Sequence, residues 1–184
     1  MDILPGVAML EKCLRRINWE WKRATMESVP SELGLIDPTI GSDTWVGYRS
    51  PDPEFPSGLL KHPYGFSFRG QQLLSFNIHI DSIEMGELCL YEPDRYNEVC
   101  EQGHVKFRAN FRKAVRRITR LLGNPLFQGK GGDDDKTLEA YPLGWGGEEC
   151  AVWKLRNARL ILVYGQEDKE LPIMLDLYVC PPKE

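Results

Sequence analysis

The sequence predicts an α+β fold, a mostly antiparallel sheet with an N-terminal helix and one central amphipathic helix packed on one face. Three observations lead there. Apolar residues recur at helical spacing over residues 107–122. Apolar and polar residues alternate, with a period of two, in segments before and after that helix. The strands come in groups rather than one for each helix, which argues against a doubly wound sheet.

The elements follow in order. Residues 4–27 read as an amphipathic helix, with Leu10, Leu14, Ile17 and Trp21 on one stripe and Val29-Pro30 as its stop. Residues 28–64 hold six of the chain's thirteen prolines, which predicts a long ordered loop anchored by Trp45, Val46, Tyr48 and Phe55. From residue 65 the period is two. Phe66 and Phe68 lead into a turn at Gly70-Gln71. Then Leu74, Phe76, Ile78 and Ile80 alternate with Ser75, Asn77, His79 and Asp81. This predicts a hairpin with one buried and one wetted face. A third strand is expected over residues 87–91, closed by Pro93.

The central helix carries Phe107, Phe111, Ala114, Val115, Ile118, Leu121 and Leu122 on one stripe and ends at Gly123-Asn124-Pro125. A Gly- and Asp-rich loop is expected over residues 124–149. A meander of strands at 151–155, 159–164 and 173–179 completes the chain, with Ile173, Leu175, Leu177 and Val179 on one face of the last strand.

At 184 residues, 42% hydrophobic and 27% charged, the chain reads as a single globular domain, 1–184. Its five cysteines are odd in number and contain no CxxC pair. That favours reduced thiols and a cytoplasmic location over a disulfide-stapled secreted domain. The N-terminus lacks a basic signal-like region, and no stretch is long enough to span a bilayer, so no membrane is expected. The net charge of −4 argues against a general nucleic-acid binder.

Charge is nevertheless concentrated. Lys106, Arg108, Arg112, Lys113, Arg116, Arg117 and Arg120 occupy the side of the central helix opposite its apolar stripe, with no acid among them. Such a stripe suits a phosphate backbone or an acidic protein, or is simply a solvated face paired with local acids. Asp133, Asp134 and Asp135 are consecutive, so their side chains diverge and miss the spacing of a calcium loop. Cys100 and His104 have the spacing of half a zinc site without a second half. His79 and Asp81 share one strand face, which suits an oriented imidazole, but no nucleophile motif completes a catalytic set. No catalytic residue, metal or cofactor is therefore expected. Trp145, between glycines and followed by Glu148 and Glu149, reads either as an interface anchor or as a lid on the core edge.

The helix end Leu122-Gly123-Asn124-Pro125, the Gly-rich loop, the strand bearing Trp153 and the closing meander resemble small α+β immunity proteins encoded beside bacterial polymorphic or contact-dependent toxins. The resemblance spans residues 107–180. It implies a non-catalytic inhibitor that blocks a cognate toxin by surface complementarity. No toxin-contacting residue is carried over from it. On the residues themselves, Asp133, Asp134, Asp135, Trp145, Glu148 and Glu149 are the expected partner-binding set, meeting a basic cleft. Two other classes stand beside this: a nucleic-acid or phospho-ligand binder using the basic helix, and an enzyme whose site is assembled from distant residues.

Overall fold

A two-residue turn, Gly70-Gln71, joins the strands of the hairpin at residues 64–83. Gly70 has φ +58°, the conformation that a hairpin turn of this length requires at its first position and that glycine adopts without strain. In the computed structural model the described residues are 9–10, 13–14, 19–24, 28–42, 44–49, 64–130, 148–166 and 168–182. Besides helical residues 9–10 and 13–14, they contain the helices α1 (Val29–Leu33), α2 (Gly86–Tyr91) and α3 (Pro93–Leu122). Their strands are β1 (Ile36–Ser42), β2 (Trp45–Arg49), β3 (Tyr64–Arg69), β4 (Gln72–Ile83), β5 (Phe127–Gly129), β6 (Glu149–Lys154), β7 (Arg159–Gly165) and β8 (Ile173–Cys180).

The strands form one sheet in the order β1-β2-β3-β4-β8-β7-β6-β5. The pairs β1–β2, β2–β3, β3–β4 and β5–β6 are antiparallel. The architecture is α+β, as the patterning predicts. After β4 the chain passes through α2 and α3 to the far edge at β5, then returns strand by strand to place β8 beside β4. Among the described residues no helix is long and apolar enough to cross a membrane.

The chain groups into two compact units. The first, residues 1–80, 154–160 and 177–184, has an aromatic core. Phe66 and Phe76 stack at 4.6 Å, Trp19 stacks on Phe76 at 5.9 Å, and Trp21 stacks on Trp19 at 5.3 Å. Asn157 joins the tryptophan segment to the β6–β7 turn. Its side chain donates to the Trp19 carbonyl at 2.8 Å, and its own carbonyl accepts from Trp21 Nε1 at 2.7 Å. Gly65 lies beneath Trp45, where a Cβ would stand 2.6 Å from the indole nitrogen, so only glycine fits.

The second unit, residues 81–153 and 161–176, is organised by α3. Gly103, Phe107, Asn110, Phe111, Ala114, Val115 and Ile118 are buried, a stripe at three- and four-residue spacing. Phe111 meets Tyr164 of β7 at 6.1 Å between ring centroids, and a Cβ on Gly103 would stand 2.8 Å from Ile173 Cδ1. The helix ends at Gly123 with φ +84°, and the Gly123 carbonyl accepts a bond from the Trp153 indole at 3.1 Å.

Several expectations are corrected. The N-terminal helix does not reach residue 27. Residues 9–10 and 13–14 are helical, but 19–24 run as an irregular segment that bridges to β4 at Gln72, and Trp21 has φ +58°. The proline-rich loop contains α1, β1 and β2. Pro30 occupies the first turn of α1, and Pro38 lies in an edge strand beside a register shift, both places that tolerate its missing N–H. Residues 87–91 belong to a helix, not a strand, and none of α2 is buried. Pro93 begins α3 rather than closing a strand. Before Gly103 the first turns of α3 are only half-buried, through Tyr96, Val99 and Cys100 at helical spacing. Leu121 is exposed and Leu122 half-buried, so the stripe stops at Ile118. The loop at 124–149 contributes β5. Finally, β4 and β8 are buried on both faces over much of their length, including Ser75, His79, Asp81, Asp176 and Tyr178. These strands are central in the sheet, where alternation no longer separates core from water.

If the α3 stripe is the core of its unit, Phe111→Ala should cost about 3–5 kcal/mol in denaturant unfolding. Leu121→Ala, outside the buried stripe, should stay within about 0.5 kcal/mol of the parent chain.

Candidate functional site

Because the apolar stripe of α3 faces inward, helical geometry turns Arg112, Lys113, Arg116 and Arg120 outward, and all four are exposed. Among the described residues none of the four has an ion pair or hydrogen bond. There is no acid in residues 102–132, so the helix provides none within two turns of any of them. Arg117, nearer the stripe, is half-buried and has a partner of its own.

The other two cations of the stripe serve the fold. Lys106 Nζ lies 2.9 Å from Asp81 Oδ2, and Asp81 is buried at 7% exposure. That oxygen makes no well-aligned hydrogen bond, so the contact is coulombic. Arg108 Nε lies 3.0 Å from Glu149 Oε1. Its guanidinium also faces the Tyr164 hydroxyl, which makes no fully formed hydrogen bond. Beside the Tyr164 hydroxyl first, and Glu149 second, Arg108 is held more firmly protonated than usual. Burial pushes the Tyr164 phenol up, and the adjacent guanidinium offsets part of that rise.

The structure thus brings together two features that the sequence lists as rival interfaces. Glu149, expected to face a partner, is half-buried against Arg108 of the basic helix. Glu148 beside it is exposed. Asp133, Asp134, Asp135 and Trp145 lie outside the described residues. The partners of Lys106 and Arg108 carried no sequence signal, because both acids are remote in the chain and come near only through packing.

The remaining candidates fare differently. His79 and Asp81 are both buried, and the Asp81 carboxylate is directed to Lys106. Cys100 Sγ sits 3.8 Å from Gln166 Oε1, and His104 lies edge-on to Tyr164. Among the described residues no group of three or more His, Cys, Asp or Glu side chains is placed to hold a metal ion. Cys180, buried at the end of β8, has its thiol pushed up to about 12 by burial, offset in part by the Arg159 charge.

Two outcomes follow. Lys106→Met leaves the buried Asp81 carboxylate uncompensated and should destabilise by about 1–3 kcal/mol, with Asp81→Asn in the same chain recovering part of the loss in a double-mutant cycle. For Cys180 the folded thiol is raised, so the unfolded chain loses its proton first. Its contribution is full below the ordinary thiol range and is lost as pH rises toward about 12. Stability should therefore fall on the alkaline side with a slope approaching about 1.4 kcal/mol per pH unit, and less steeply in Cys180→Ala, as read by denaturant melts. Set against known protein families, characterised proteins and solved structures, the chain matches none.

Proposed function

We propose that this chain is a non-catalytic protein-binding module that docks an acidic surface of a partner against the C-terminal half of α3. One observation carries the reading. Arg112, Lys113, Arg116 and Arg120 stand exposed on one side of a long helix and have no acidic partner among the described residues. A rigid helix presents these charges at fixed spacing, which gives electrostatic steering with little ordering cost. Neutralising a bacterial toxin is the role within this class that the resemblance to immunity proteins implies, and it forms part of the proposal. An acidic protein fits better than a long polyanion. The stretch from Arg112 to Arg120 covers only about 12 Å, and the chain as a whole is negative at −4.

The test is affinity capture from the native host with the parent chain and with an Arg112→Glu, Arg116→Glu double variant, followed by binding kinetics on the captured protein. The double variant should lower the on-rate about tenfold or more at low salt, with a smaller change in dissociation. A partner bound equally well by both baits removes α3 as the interface. Tight nucleic-acid binding with a steep salt dependence replaces this reading with the nucleic-acid one.

A further inference from the structure

The outward face of α3 is charged in two halves. At 100° per residue, Asp94, Glu98, Val105, Ala109, Arg112, Arg116 and Arg120 fall within an arc of about 80°, opposite the buried Phe107, Ala114 and Ile118. All seven are exposed, Val105 at 65%. The N-terminal half of this face is acidic, with Glu101 flanking it on one side and Arg95, paired to Glu92, on the other. The C-terminal half is basic, with Lys113 flanking it.

The helix macrodipole favours this polarity but acts only within the first and last turns. Glu98, Glu101, Arg112, Lys113 and Arg116 lie further in. Nor do the halves neutralise each other within one helix. Glu98 and Arg116 are about 27 Å apart along the axis, well beyond the screening length of about 8 Å at physiological salt.

We propose that this face is self-complementary and that two copies of the chain associate through antiparallel α3 helices. A parallel pair sets acid against acid. An antiparallel pair with its two-fold axis between Val105 and Ala109 sets Glu98 of each copy opposite Arg116 of the other and Asp94 opposite Arg120. It places Val105 and Ala109, the apolar residues of the face, at the centre. Two-fold symmetry makes every such contact twice. The contacts are exposed ion pairs around a small apolar centre, so the association is weak and strongly salt-dependent. It holds whether or not α3 also meets an acidic partner, and the two uses compete for the same arginines.

Sedimentation equilibrium of the full chain tests this. Dimer should form at about 20 mM salt and dissociate at about 500 mM. Glu98→Arg and Arg116→Glu, each alone, place like charges opposite one another twice per dimer and should weaken association about tenfold or more. An equimolar mixture of the two single variants restores opposite charges at both positions, and so does the double variant E98R/R116E. Both should dimerise near the parent level. Recovery in the mixture also shows that each variant is folded. A chain that stays monomeric at low salt up to about 0.5 mM, where pairs of this weak class still associate, overturns the proposal. So does a dimer indifferent to both single reversals, or a mixture no stronger than its components.

Discussion

Burial of one stripe of α3 is the constraint on which the second unit depends. Phe107, Phe111, Ala114 and Ile118 leave water together, with Tyr164 of β7 against Phe111 and Ile173 of β8 close over Gly103. Gly103 extends the stripe by a turn, and a side chain there would run into Ile173. The helix end is held as well, since the Gly123 carbonyl is engaged by the Trp153 indole. Once the stripe is committed inward, 3.6-residue periodicity leaves no freedom in where the cations go.

That outward commitment divides the basic residues by depth. Lys106 and Arg108 stand at the margin of the stripe, where buried or half-buried acids reach them, and their charges stabilise the fold. Arg112, Lys113, Arg116 and Arg120 project where no described acid follows. A run that looks uniform in sequence is therefore two populations, one structural and one available. The functional reading rests on the second alone.

In the first unit the governing interactions are aromatic. Trp19 and Trp21 leave helical conformation, Trp19 lying against Phe76 and Trp21 against Trp19, and the backbone there bonds to the start of β4 and to Asn157. Stacked rings bury large apolar area and set chain direction, which is stronger than the modest helix propensity of this segment. The positive φ of Trp21 is sustained by that surrounding packing.

Local periodicity determined much of this protein: the α3 stripe, the Gly70-Gln71 hairpin, the glycine stop at Gly123 and the three-strand meander are all legible because each follows a short-range rule. The sequence also exposed the basic helix as an anomaly of charge. Other features were settled by long-range packing. The N-terminal tryptophans abandoned their helical period for an aromatic stack. The proline-rich segment built α1 and the edge strand β1, both of which tolerate proline, and Pro93 opened a helix whose first turns are only half-buried. Tertiary structure also decided which cations are spent on Asp81 and Glu149 and which remain outward. An ion pair between remote residues leaves no periodic trace in the chain, because it depends on which surfaces meet after the core has formed.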